Sequence, residues 1–300
     1  PISKIFSSRV FPGFCLTLAI LVLAKQLIEK ITSLQNQRIK KAIRLHSSRG
    51  RQAQNRIIVF GNREVTRAIE SGLQLQEIFC TETLWNSLPS AERSCVSKSD
   101  ARLSFVVPEV FEKLAYGSRT SALIGTADRP ETSFDSPCFQ LRTGGGLSLV
   151  LVLQSIEKPG NLGAILRSAD ACGVDAVLCA DPLTDFFHPN VIRSSTGVVF
   201  QMPLISGTTP EIQDWLAGQG FCVFTAMLEN ATSFYEAELT GSVALVLGNE
   251  ATGLGESWMG KNYSAVKLPM RGQADSLNVS VTASVMMYEA MRQRSLPATR

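Results

Sequence analysis

The residues best suited to chemistry lie in three polar segments, residues 157–173, 245–254 and 268–280. The second and third segments each place a polar, glycine-containing loop directly after an apolar run. In an open parallel sheet such loops follow the carboxyl ends of strands, where ligands bind. The first segment adds Arg167, which can bind an anion, and the second adds Glu250, which can hold or accept a proton. The pattern predicts one ligand site assembled from distant parts of the chain.

Arg167 has the chemistry needed for an anionic substrate. The first segment predicts a helix with an apolar stripe of Leu162, Ile165, Leu166 and Ala169. Arg167 lies off this stripe. A guanidinium keeps its proton and so cannot act as a neutral base, but it can bind a phosphate or lower the pKa of a nearby hydroxyl. The alternative is a surface arginine paired with Asp170 or another acid.

Each remaining polar residue of these segments has a structural alternative. Asn161 orients Arg167 or a ligand, caps the amino end of its helix, or does both. Glu250 is either a base or a carboxylate that braces its loop. Asn278 either contacts a ligand or caps the last helix. Gly248 either lets a ligand approach the backbone closely or only provides a turn with positive φ.

In order and content the three segments resemble motifs 1, 2 and 3 of the SpoU (TrmH) family of RNA ribose methyltransferases, in the SPOUT superfamily, over residues 147–294. The resemblance implies a trefoil-knot domain with a parallel sheet that binds S-adenosylmethionine. It implies 2′-O-ribose methylation of structured RNA, ribosomal RNA being favoured over transfer RNA, by a homodimer. The implied catalytic residues are Asn161, Arg167 and Glu250. The implied cofactor contacts are Leu247, Gly248, Leu268, Met270, Ser276, Leu277 and Asn278.

The first half of the chain carries a long basic stretch. No acid occurs between Glu29 and Glu64, whereas lysines and arginines accumulate. A charge run is commonly a solvated face, but an acid-free run of this length favours contact with phosphates. The predicted RNA-binding residues are Arg38, Lys40, Lys41 and Arg44. Alternating strand and helix signals after them predict a small α/β substrate-binding domain that precedes the α/β catalytic domain.

Composition divides the chain into four predicted parts: an acid-poor extension (1–29), the substrate-binding domain (30–127), a polar linker (128–146) and the methyltransferase domain (147–300). The apolar run at residues 14–24 is shorter than the roughly 20 residues that span a bilayer. No stable membrane span is therefore expected. If residues 1–29 are a transit segment, the protein is organellar, in a chloroplast or mitochondrion; otherwise it is cytoplasmic.

Composition also argues against other classes of protein. The cysteines are scattered without a C-x-x-C pair and there are only two histidines, so neither a disulfide framework nor a metal site is expected. A nucleotide-binding oxidoreductase would need a G-x-G-x-x-G turn after its first strand, which the chain lacks. The remaining rival is a non-catalytic RNA-binding or ribosome-assembly protein that keeps the fold. The presence of Arg167 and of the polar run 276–280 favours the enzyme.

Overall fold

The computed structural model describes residues 28–115, 122–136, 139–142 and 147–295 of the 300-residue chain. These residues form two sheets with helices packed against them. The predicted transit segment lies outside the described residues, apart from positions 28 and 29. No helix in the described part of the chain is both long enough and apolar enough to cross a membrane.

The first sheet has five strands in the order β1-β4-β3-β5-β2, with β5 antiparallel to both of its neighbours and the other pairs parallel. The strands are Glu29–Ile31 (β1), Arg56–Phe60 (β2), Leu75–Cys80 (β3), Arg102–Val106 (β4) and Ile124–Asp128 (β5). The helices of this unit are Gln37–Arg44 (α1), Ser48–Gln54 (α2), Asn62–Glu70 (α3), Glu82–Ser87 (α4), Ser90–Lys98 (α5) and Pro108–Leu114 (α6).

The second sheet has seven strands in the order β10-β12-β9-β11-β6-β7-β8, and every neighbouring pair is parallel. The strands are Leu149–Gln154 (β6), Ala176–Ala180 (β7), Leu204–Gly207 (β8), Cys222–Ala226 (β9), Thr232–Ser233 (β10), Val243–Leu247 (β11) and Tyr263–Lys267 (β12). The helices are Pro159–Ala171 (α7), Pro189–Ser194 (α8), Thr209–Gly218 (α9) and Val279–Ser295 (α10). The central strands β6 and β11 are almost wholly apolar because both of their faces are covered.

The two sheets share one hydrophobic core. Ile57 and Val59 of β2 belong to the same buried cluster as Leu151 of β6 and Ile165 of α7. The alternate residues of β2 face the other way, into a separate cluster with α1 and α6. Helix α1 therefore lies on the face of the first sheet that is turned away from the second unit.

A buried ion pair ties the two units together. Arg51 of α2, only 1% exposed, donates from Nε to Asp185 Oδ2 at 3.2 Å. Asp185 lies between β7 and α8, and it also pairs with Arg129 at 3.2 Å and accepts a hydrogen bond from the Phe187 amide at 2.7 Å. The basic stretch thus contributes one of its cations to the junction between the units.

We expect Asp185→Ala to lower the free energy of unfolding by about 3 kcal/mol, because removing one partner leaves the buried Arg51 guanidinium without its carboxylate. Asp170→Ala is the matched control, since Asp170 pairs with Arg142 at 3.0 Å on the surface. An exposed pair of this kind contributes at most about 1 kcal/mol. Chemical denaturation of both variants measures the difference. Equal losses of unfolding free energy in the two variants would show that the Arg51–Asp185 pair contributes no more to stability than a surface ion pair.

The part of the predicted linker that the structure describes packs against the second unit. The Thr132 carbonyl accepts a hydrogen bond of 2.7 Å from the amide of Ser206 on the edge strand β8. Phe134 stacks on Trp215 of α9, with ring centroids 5.3 Å apart. These contacts cover the exposed edge of the second sheet.

Candidate active site and cofactor cavity

A cavity of about 520 Å³ lies at the carboxyl ends of β9, β11 and β12, beside the start of α10. All seven residues predicted to contact the cofactor line this cavity: Leu247, Gly248, Leu268, Met270, Ser276, Leu277 and Asn278. Ala226, Met227 and Leu228, at the end of β9, also line it. Sequence analysis missed these three, although the apolar run 221–225 predicts a strand and residues that follow a parallel strand are candidates for ligand contact.

The loop after β11 forms one wall of the cavity by folding back on itself. Asn249 and Gly253 exchange two backbone hydrogen bonds of 3.0 Å, and Gly253 has a φ of +71°. The Asn249 side chain donates to the Ser155 carbonyl at 2.8 Å and accepts from the Ala251 amide at 2.8 Å. The loop is therefore anchored to the end of the neighbouring strand β6.

Gly248 is required by this folded loop. A Cβ at Gly248 would lie 2.2 Å from the carbonyl carbon of Gly253 and 2.4 Å from the Leu254 nitrogen, closer than any real Cβ contact. Gly248 is not among the glycines with positive φ, so the alternative of a positive-φ turn is wrong. The close approach comes from the chain itself, a reason that sequence analysis did not consider.

The three segments are joined through the side chains of Glu250, Asn161 and Asn278. Asn161 Nδ2 donates to Glu250 Oε1 at 2.8 Å, and Asn278 Nδ2 donates to Asn161 Oδ1 at 3.3 Å. Asn278 Oδ1 accepts from the Ser280 amide at 2.9 Å and so caps α10. This three-residue chain connects the first turn of α7, the loop after β11 and the start of α10.

Asn161 does not cap helix α7. The helix begins at Pro159, with Lys158 as its N-cap residue and no side-chain capping hydrogen bond. Asn161 lies in the first turn, where its amide reaches the other two segments. The capping alternative for Asn161 is therefore wrong, whereas Asn278 both caps its helix and lines the cavity.

Glu250 braces the start of α7. Besides Asn161, its carboxylate accepts from the Glu157 amide at 3.3 Å and the Lys158 amide at 3.4 Å. Partial burial alone would raise the pKa of Glu250, but the hydrogen bonds from Asn161 and from backbone amides outweigh it and bring the pKa below its usual value. A carboxylate that is this well satisfied is a weak proton acceptor at neutral pH. The geometry favours the bracing role over that of a base.

We expect Glu250→Gln to slow methyl transfer by about tenfold without altering how the rate depends on pH near neutrality, because the change loosens α7 but removes no base. With its lowered pKa, Glu250 stays ionised at neutral pH, and its bracing is lost only when the pH falls through that value. The rates of variant and wild type are compared across pH. Removal of a true general base would instead cost roughly 10²–10⁴-fold.

Arg167 is exposed on α7 and does not line the cavity. In the described part of the chain no hydrogen bond or ion pair engages its side chain. The acid proposed as its partner, Asp170, pairs with Arg142 instead. The alternative of an Arg167–Asp170 ion pair is therefore wrong, and the guanidinium is available to an anion from outside the chain.

The four predicted RNA-binding residues differ in the partners of their side chains. Arg38 is engaged within the protein, because its guanidinium donates to Glu77 at 2.7 Å, Glu29 at 2.8 Å and Ser104 at 2.8 Å. These partners argue against a contact between Arg38 and RNA phosphates, and the predicted RNA-binding role of Arg38 stays a prediction. Lys40, Lys41 and Arg44 form no ion pair among the described residues, and Lys41 and Arg44 are exposed. All four residues belong to α1, on the face of the first sheet that is turned away from the second unit.

The sequence profile of the SpoU rRNA Methylase family matches residues 148–288, and that of the MRM3-like substrate binding domain matches residues 36–125. A putative TrmH family tRNA/rRNA methyltransferase of Staphylococcus haemolyticus is 30% identical over 239 residues, which cover 79% of this chain and 96% of that protein. The chain belongs to the SpoU rRNA methylase family.

Two further proteins are similar to this chain over most of its length. The 23S rRNA (guanosine(2553)-2′-O)-methyltransferase RlmP of Bacillus subtilis is 28% identical over 261 residues, 87% of this chain and 98% of that protein. A crystal structure of an RNA 2′-O ribose methyltransferase superposes with a TM-score of 0.74 at 37% identity, covering 89% of this chain and 100% of that one.

SpoU membership confirms several predictions from sequence. They are the α/β SPOUT fold, the RNA 2′-O-ribose methyltransferase activity and the use of S-adenosylmethionine. The non-catalytic alternative gains no support from these relatives. The roles of individual residues, the trefoil knot, the dimer and the domain boundaries remain predictions.

Proposed function

We propose that this SpoU methylase transfers the methyl group of S-adenosylmethionine, held in the cavity, to a ribose 2′-hydroxyl of ribosomal RNA placed beside α7. The observation that carries the proposal is the Glu250–Asn161–Asn278 chain, in which two cavity-lining residues hold the helix that bears Arg167. These hydrogen bonds support a site in which the cavity and Arg167, whose side chain is unpaired among the described residues, are held by the same contacts.

The cavity suits the proposed cofactor. Its volume of about 520 Å³ falls within the range of roughly 300–1,000 Å³ for small-molecule sites. Its walls combine apolar side chains, such as Leu247 and Met286, with the carboxylates of Glu250 and Asp275. Apolar walls suit an adenine ring, and carboxylates suit a cation. When bound, the cofactor supplies a methyl group that is already activated, so the residues of this chain have mainly to orient the two reactants.

Arg167 is the proposed catalytic residue. Its guanidinium binds the phosphate next to the target ribose, and an oxygen of that phosphate takes the proton that the 2′-hydroxyl loses. The guanidinium also stabilises the negative charge that develops on the 2′-oxygen before that oxygen accepts the methyl group. Asn161 and Glu250 position the helix rather than exchange protons. Glu250 is a poor base in this structure because its carboxylate already accepts three hydrogen bonds.

Ribosomal RNA is the proposed substrate because the RlmP relative is named for 23S rRNA and the first unit matches the MRM3-like substrate binding domain. The compartment is then that of ribosome assembly, in the cytoplasm or in an organelle. The proposed division remains 30–127 for substrate binding, 128–146 for the linker and 147–300 for catalysis. The proposed homodimer uses α10, whose Val281 and Tyr288 side chains are 47% and 48% exposed.

Nucleoside mass spectrometry tests the proposed function. Unmodified 23S rRNA transcript is incubated with the protein and S-adenosylmethionine, digested, and compared with a reaction that lacks the protein. The expected result is one additional 2′-O-methylated nucleoside. RNA that is bound tightly but gains no methyl group, alongside calorimetry that detects no S-adenosylmethionine binding, would favour the non-catalytic alternative.

A further inference from the structure

Three exposed arginines, Arg63 of α3, Arg167 of α7 and Arg193 of α8, form no side-chain hydrogen bond and no ion pair in the described part of the chain. We call them the junction arginines. Arginines that serve the fold are engaged here, as Arg51 is with Asp185 and Arg38 is with Glu77. An unpaired, exposed guanidinium is available for a phosphate, which it can bind through two parallel hydrogen bonds.

The junction between the two units brings Arg63 and Arg193 to the same region. A Cβ on Gly197, just beyond α8, would lie 3.1 Å from the Cα of Glu64, the residue that follows Arg63. Arg67, one turn along α3, donates to both the carbonyl and the hydroxyl oxygen of Thr196, at 2.8 and 2.9 Å. The first turn of α3 therefore lies directly against the end of α8.

Helix α8 also packs closely on α7, the helix that bears Arg167. A Cβ on Gly163 would lie 1.9 Å from Ser194 Oγ and 2.7 Å from the Val191 carbonyl oxygen, so the two helices touch at that glycine. Arg193 precedes Ser194, and Arg167 lies one turn beyond Gly163 on the same side of α7. The junction arginines therefore lie on three helices in sequence: α3 contacts the end of α8, and α8 contacts α7.

We propose that the junction arginines form a track for the phosphate backbone of the substrate RNA, running from the first unit across the junction to the catalytic helix. This inference rests on the proposed function and adds the path by which RNA reaches Arg167. Arg63 lies in the first turn of α3, where no side chain caps the helix.

The track differs from the RNA-binding surface predicted from sequence. Lys41 and Arg44 belong to α1, on the opposite face of the first sheet from the shared core. RNA on α1 would have to pass around the first unit to reach α7. RNA on the track lies along the junction, which the Arg51–Asp185 pair holds in place.

The test compares two double variants in which charge is neutralised. The junction variant carries Arg63→Gln and Arg193→Gln, and the α1 variant carries Lys41→Gln and Arg44→Gln. Binding of each to unmodified 23S rRNA transcript is measured by filter binding over a range of salt concentrations. We expect the junction variant to weaken binding by about tenfold. Its logarithmic salt slope should fall by about 0.7–0.9 for each phosphate contact removed. A variant carrying Arg63→Lys and Arg193→Lys should keep the slope, because it keeps the charge.

Lys98→Gln is the matched control. Lys98 is an exposed cation of α5 that forms no ion pair among the residues that the structure describes. It lies near Glu70, at the carboxyl end of α3, since the charges of both act on Cys95, whose pKa is raised mainly by burial. It should bind RNA as the wild type does. Two results would refute the track. One is a junction variant that keeps the wild-type melting temperature and an unchanged salt slope of RNA binding, and the other is a slope that falls only in the α1 variant. A wild type that binds RNA with the expected slope but transfers no methyl group would count against the proposed function alone.

Discussion

Arg167→Ala is expected to reduce methyl transfer by at least about a hundredfold, the effect of removing one donor that stabilises developing negative charge. The affinity for S-adenosylmethionine should remain within about twofold, because Arg167 does not line the cavity and makes no contact that holds it. Single-turnover methylation of 23S rRNA transcript and isothermal calorimetry with the cofactor measure the two quantities separately.

Arg142→Ala is the control for this experiment. Arg142 contacts the same helix, but it does so through an ion pair with Asp170. Its loss should leave methyl transfer close to that of the wild type. Near-normal turnover in Arg167→Ala would remove the catalytic assignment, and a folded variant that no longer binds the cofactor would place Arg167 in the cofactor site.

Gly248→Val should abolish most cofactor binding by distorting the loop after β11. Its Cβ would lie 2.2 Å from the Gly253 carbonyl carbon, and that atom belongs to the backbone of a closed turn. The loop must open, which costs about 1–3 kcal/mol for a buried overlap. We expect the cofactor affinity to fall by roughly tenfold or more. The melting temperature should also fall, because the buried Leu254 shifts with the loop.

Gly255→Ala provides the comparison within the same loop. Gly255 has an ordinary φ of −69°, and the nearest atoms to a Cβ there are 3.6 Å away on Gln154. This variant should bind the cofactor normally. If Gly248→Val keeps both its cofactor affinity and its melting temperature, the closed loop is not what fixes the cavity wall.

Periodicity and apolar runs were sufficient to predict the elements that position the site. The stripe of α7 is buried as predicted, at Leu162, Ile165, Leu166 and Ala169. The apolar run 243–247 predicts a strand, and β11 has these bounds. The short helices α4 and α5 were missed because each has little apolar periodicity and few buried side chains. Residues 121–125 predict the last strand of the first sheet from their local composition. The observed strand lies at Ile124–Asp128, where it pairs with β2.

The errors in the site come from partners that are distant in sequence. The acid-free stretch indicated a free basic surface, yet Arg38 pairs with Glu77, and Arg51 pairs with Asp185, which is 134 residues away. A count of local charge contains no information about such partners. For the same reason the contacts of Asn161 with Glu250 and Asn278 could not be predicted, since these residues lie 89 and 117 positions further along the chain.

The hydrophobic core common to both sheets makes the enzyme one cooperative folding unit in spite of its two-part sequence. Ile57 and Val59 of the first sheet bury their side chains in the cluster that contains Leu151 and Ile165 of the second. Expression of the catalytic half alone would leave the apolar surface beneath α3 and β2 in water, and exposed surface of this kind promotes aggregation. We therefore expect the second unit to need the first in order to fold without aggregating, and the whole chain to unfold in a single transition.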